Sequence, residues 1–97
     1  MECKFQRKVI QELQRQYPGA IILKNDPNYI QGIPDLTMLW RRNWALLEVK
    51  DSIDAPHQPN QSFYVDAAFS MSYGAFVYPE NFEEVRHEIQ QAFKFRR

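Results

Sequence analysis

Apart from a basic turn at Arg41-Arg42, three charged residues stand in the most apolar stretch of the chain, GIPDLTMLWRRNWALLEVK, residues 32–50. Asp35 opens the first of two apolar runs, and Glu48 and Lys50 close the second. Sheet interiors disfavour charge, so this placement asks for a chemical reason. Glu48 and Lys50 are two residues apart and share a strand face. With the connecting turn centred on Arg42-Asn43, Asp35 pairs across from Lys50, and Thr37 from Glu48. The two carboxylates then occupy diagonal positions about 7–8 Å apart and can converge on one cation. A one-residue slip would turn Asp35 to the other face.

Convergent carboxylates repel each other and, without a partner, hold a proton. A divalent cation removes the conflict, and hard oxygen ligands with few protein donors suit Mg²⁺ or Mn²⁺. The Val49 carbonyl lies between the two charged side chains in sequence and could supply another oxygen. Lys50 could orient or deprotonate a water, or meet a phosphate. Cation, lysine and acid together suit phosphodiester hydrolysis. The competing reading is a plain ion pair at a strand end, Lys50 with Asp35 or Glu48.

Helices and strands must bring these groups together. Residues 2–17 have the spacing of a helix, with Val9, Leu13 and Tyr17 on one side and Lys4, Arg7 and Lys8 on the other. Glu2 and Gln6 fall on the apolar side, where they could serve a site. Glu2 is equally a first-turn acid favoured by the helix dipole. Pro18-Gly19 ends the helix, and 20–24 is a strand by β-branched content. Residues 36–40 and 44–49 are the two strands of the charged stretch, and their apolar runs suggest burial on both faces. A second helix is expected over 59–74, with Pro59 at its start and Gly74 as its C-terminal cap. Gln61 on this helix is either a site residue or a helix-start amide facing solvent. A strand over 75–79 and a helix from 80 or 81 to 95 complete the order. The loops at 25–34 and 51–60 are long enough to be functional.

The chain has 97 residues, enough for one domain, and a net charge of zero. That balance disfavours a passive nucleic-acid binder, but not an enzyme whose bound cations add positive charge. Arg41 and Arg42 at the hairpin tip could reach DNA, or be solvated turn residues. Lys4, Arg7 and Lys8 could do so too, or form an ordinary solvated face. His57 could serve as a base, or be a solvated histidine of a loop beside prolines, and His87 and Cys3 have no metal-site spacing. The single cysteine and the lack of a signal or membrane-spanning run lead to the expectation of a reducing cytosol.

Pro34-Asp35 followed by Glu48-Val49-Lys50 resembles the signature of the PD-(D/E)XK nucleases. More narrowly, the chain resembles the VRR-NUC (virus-type replication-repair nuclease) domain over nearly its whole length. The matching residues are Glu2, Phe5 and Gln6, then Gly32 to Leu36, Glu48 to Lys50, Gln61 and Gly74. Gln31 stands where some members carry serine. The resemblance implies an α/β, restriction-endonuclease-like αβββαβ core with a C-terminal helix and a central mixed sheet flanked by helices, as one domain over 1–97. It implies Mg²⁺ or Mn²⁺ held by Asp35, Glu48, the Val49 carbonyl and Glu2, with Lys50 serving the water and Gln6 and Gln61 in support. Members built of this domain alone are phage or bacterial enzymes that dimerise and cut branched DNA. The implied partners are therefore DNA, such as a four-way junction, and a second copy of the chain, with no membrane. Two other readings compete: a catalytically weak module of the same fold that binds DNA or docks a partner, and a small structural domain with an ion pair.

Overall fold

Apolar residues recurring at helical spacing make Lys4–Gln16 an amphipathic helix, α1, and Val9, Leu13 and Tyr17 are buried. The computed structural model describes residues 4–94. The expected contribution of Glu2 and the expected end of the last helix at residue 95 lie outside the described residues. Gly19, at φ 88, turns the chain out of α1. It leads into β1 (Ile21–Lys24), followed by β2 (Leu36–Trp40) and β3 (Asn43–Val49). A helix, α2 (Gln61–Met71), crosses over to β4 (Gly74–Val77), and α3 (Phe82–Lys94) follows. Among the described residues the fold is α/β, a four-stranded mixed sheet of order β1-β2-β3-β4 with three helices. Its first three strands are antiparallel, and β4 runs parallel to β3.

Strand alternation gives the sheet two unlike faces. On one, Leu36, Met38, Ala45, Leu47 and Val49 meet Val9 and Leu13 from α1 and Val85, Ile89 and Phe93 from α3, the main core. On the other, α2 packs on β3 and β4. Over β1 and β2 that second face is more open, and Ile21, Leu23 and Leu39 are 56%, 47% and 38% exposed. Burial on both faces thus holds for β3 but not for β2, whose exposed Leu39 lies beyond the cover of α2.

Two expectations need correction. First, Gly74 is no helix cap. Helix α2 ends at Met71, with the Ser72 N–H donating to the Ala68 carbonyl at 2.8 Å. Gly74 instead opens β4 where the helix lies against the strand. A Cβ there would stand 2.5 Å from the Val65 carbonyl oxygen. Second, the β2–β3 turn centres on Arg41-Arg42, because Trp40 pairs with Asn43. Arg41 takes φ 58, the positive value that lets a two-residue turn follow the strand twist. The register therefore shifts by two residues, and Thr37 faces Leu46 rather than Glu48. A two-residue shift preserves which side chains share a face.

Candidate active site

The observed register carries one step beyond β2, so Asp35 comes opposite Glu48 rather than Lys50. The Asp35 N–H donates to Glu48 Oε1 at 3.0 Å. In return, the Val49 N–H donates to Asp35 Oδ2 at 3.2 Å. Each acid is thus fixed by a backbone donor of the neighbouring strand. The carboxylates meet more directly than a diagonal pairing would allow, and they lie on the α2 side of the sheet.

Helix α2 supplies the next partner. Its Asn60 cap takes the left-handed φ of 71 and makes no side-chain capping bond. Gln61, the first helical residue, is buried, which excludes the solvent-facing alternative. Its Nε2 donates to Glu48 Oε2 at 2.6 Å. Its Oε1 accepts from Lys50 Nζ at 2.9 Å and from the Gln58 N–H at 2.8 Å. Lys50 Nζ also donates to the Pro56 carbonyl at 3.0 Å and stands 3.4 Å from Glu48 Oε2. Asp35, Glu48, Lys50 and Gln61 therefore form one bonded cluster.

Two loops brace it. Asn25 donates from its backbone N–H to the Asp35 carbonyl at 2.7 Å, and from Nδ2 to the Pro34 carbonyl at 2.8 Å. Its Oδ1 accepts from Thr37 Oγ1 at 3.0 Å. Gly32, at φ 88, lies so close to the start of α2 that a Cβ would stand 2.6 Å from the Pro59 carbonyl oxygen. This contact sets the loop before Asp35 against the turn that carries Gln61. Sequence reasoning missed Asn25, whose place after a strand and before Asp26-Pro27 marks only a turn.

Burial sets the electrostatics. Glu48 is 2% exposed, and its pKa is pushed up to about 7, first by burial and then by the negative charge of Asp35. The Lys50 charge and the Asp35 N–H offset part of this. Burial also raises Asp35, against the Val49 N–H and Lys50. Two adjacent carboxylates held above their usual range are a donor set that a hard cation would stabilise in the ionised form. Among the described residues no group of three or more His, Cys, Asp or Glu side chains gathers. A cation here would take its remaining ligands from backbone oxygen, such as the Val49 carbonyl, and from water, as Mg²⁺ does.

The other expected site residues lie apart from this cluster in the chain. Gln6 is half-buried on the apolar side of α1, three residues before Val9, and has a partner of its own. Lys4, Arg7 and Lys8 are exposed on α1. Arg41 and Arg42 are exposed at the turn, six residue steps or about 20 Å along the strands from Asp35 and Glu48. Arg41 lies over the Trp40 ring, 4.3 Å from its centroid. His57 is stacked on Phe76 at 4.0 Å, which orders an exposed loop side chain. Among the described residues no helix is long and apolar enough to cross a membrane. Compared with protein-family models, with curated proteins and with solved structures, the chain matches none.

Proposed function

We propose that the chain is a Mg²⁺- or Mn²⁺-dependent endodeoxyribonuclease of the PD-(D/E)XK, VRR-NUC-like type, with the restriction-endonuclease-like core that this implies. The observation that carries the proposal is the meeting of Asp35, Glu48 and Lys50, with Gln61 bonded to both Glu48 and Lys50. A bound divalent ion would supply a Lewis acid for the phosphate and lower the pKa of a bound water. Asp35, Glu48 and the Val49 carbonyl would hold the ion, with Glu2 joining them. Lys50 would orient the attacking water or neutralise the phosphate. Gln61 would fix the positions of Lys50 and Glu48 and Gln6 would support the site, while Lys4, Arg7, Lys8, Arg41 and Arg42 would meet the DNA backbone.

The proposed substrate is branched DNA, such as a four-way junction, cut by a homodimer within the cell. A two-fold dimer supplies two sites for two strands. Exposed apolar side chains on α2 support a second copy: Phe63 is 65% exposed, Phe69 61% and Met71 60%. Incubation with labelled four-way junction, flap and linear duplex DNA in Mg²⁺ or Mn²⁺ tests the proposal. Paired symmetric nicks in the junction are expected. Cutting of linear duplex alone removes the junction preference, and no cutting of any substrate leaves the binding-module alternative.

A further inference from the structure

We infer that the crevice between loop 25–34 and the open face of β2 is a stacking site for one unpaired nucleobase, with Tyr29 as its aromatic wall. The inference rests on the nuclease reading and deepens it, because it names what would make the enzyme prefer branched DNA.

The crevice measures about 410 Å³ and is lined by Asn25, Asp26, Tyr29, Ile30, Ile33 and Thr37. That volume lies within the range of small-molecule sites. Thr37 is two residues along the strand from Asp35 and shares its face, so the crevice begins about 7 Å from the acid. A nucleotide joined to a phosphate at Asp35 could place its base there. Tyr29 is 83% exposed, yet its loop is braced. The Tyr29 N–H donates to the Asp26 carbonyl at 3.1 Å, and the Asn28 N–H to Asp26 Oδ1 at 2.8 Å. The Ile33 N–H donates to the Ile30 carbonyl at 3.2 Å. A large apolar ring shown to solvent from a tied loop is pre-organised for a partner.

The chemistry of the lining selects the ligand. The Asn25 amide is engaged by Pro34 and Thr37, and the Thr37 hydroxyl by Asn25. These groups are already occupied, so they are poorly placed to read base edges. The Asp26 carboxylate repels phosphate, so the backbone is kept out. What remains is an aromatic ring and two isoleucines, which accept the face of any base. Stacking on aromatic side chains is sequence-tolerant. Bases inside a duplex have both faces covered, so the base that enters must be unpaired, as at a flap or fork, or unstacked where strands exchange at a junction. The site would therefore read structure and not sequence.

The test uses the full chain, fork DNA with 2-aminopurine placed singly along the unpaired nucleotides, junction DNA with it at the point of strand exchange, and matched linear duplex. Ca²⁺ is used for binding and Mg²⁺ for cutting. Wild type and Tyr29→Phe are expected to change 2-aminopurine fluorescence at one position next to the cut. Tyr29→Ala is expected to lose that signal and to bind fork DNA about 5- to 100-fold more weakly. Duplex binding should change less than about 2-fold, and the high exposure of Tyr29 leaves folding intact, as a thermal melt would verify. If wild type cuts branched DNA and Tyr29→Ala binds and cuts it equally well, the stacking site is overturned and the nuclease stands. If Tyr29→Ala alone loses fork binding but neither protein cuts in any metal, the stacking site stands and the nuclease reading falls. If wild type binds no DNA, both fall.

Discussion

Strand β3 buries a polar side chain at each end, and the two are treated very differently. At the turn end Asn43 is 3% exposed, its Nδ2 donates to the Trp40 carbonyl at 3.3 Å, and its Oδ1 has no partner among the described residues. At the other end Glu48 is 2% exposed and both its oxygens accept hydrogen bonds, from the Asp35 N–H and from Gln61. Full bonding does not make Glu48 comfortable, because burial first, and then the second acid beside it, lift its pKa. Asn43 is thus a tolerated local defect beside an open cavity of about 720 Å³. Glu48 is a buried acid whose ionised form is disfavoured although Gln61, Lys50 and the Asp35 N–H surround it. The cavity beside Asn43, larger than the crevice at Tyr29, and the acid cluster occupy opposite ends of the hairpin.

Truncating the basic side chain at each end of the hairpin separates the two ends most clearly. Lys50→Ala is expected to lower the single-turnover cleavage rate by about 10²- to 10⁴-fold, the usual worth of a positioned acid–base group. Arg42→Ala, at the turn, is expected to change it less than about 3-fold and to act through salt-dependent binding. Equal losses would mean that the acid end has no special role.

The next largest effect is on stability against pH. A glutamate whose folded pKa lies above its unfolded value favours the folded state when protonated. The stability tied to Glu48 is therefore present below about pH 4.5 and is lost as the pH rises to about 7. Metal-free unfolding free energy should fall by about 3 kcal/mol across that window, and burial of Asp35 adds in the same direction. Glu48→Gln should flatten the curve. Asn43 contributes no such slope, and chemical denaturation between pH 4 and 8 measures both.

Smaller effects sharpen the contrast. Gln61→Ala removes a donor from Glu48 and an acceptor from Lys50, and should cost about 1–3 kcal/mol of stability. Cleavage should fall about 10- to 100-fold, as for other groups that orient ligands. Asn43→Ala removes an amide that is already half unpaired, so it should cost less than about 1 kcal/mol. Urea unfolding of the two variants at one pH checks the order, and a reversed order would contradict it.

Element order was legible because apolar spacing and turn residues speak for themselves along the chain. Val9 and Leu13 mark one helix side, and the β-branched residues before Asn25 mark a strand. Asp35, Glu48 and Lys50 were legible because charge at the ends of apolar strands is chemically out of place. The register was not, since Arg41 takes a positive φ that its residue type does not announce. Gly74 shows the same limit: a glycine after a helix reads as a cap, whereas here it makes room for the Val65 carbonyl. Gln61 stayed ambiguous because one glutamine at a helix start carries no sign of burial. Asn25 escaped notice because its partners, Pro34, Asp35 and Thr37, are nine to twelve residues away.

The most direct measurement is calorimetric titration of Mn²⁺ into the wild type and Asp35→Ala, paired with thermal melts in chelator. The account predicts binding to the wild type that Asp35→Ala abolishes, with metal-free stability unchanged or raised by loss of the repelling charge. A destabilised Asp35→Ala, with the two titrations indistinguishable, would contradict it and leave the cluster as an ion pair that holds the sheet to α2.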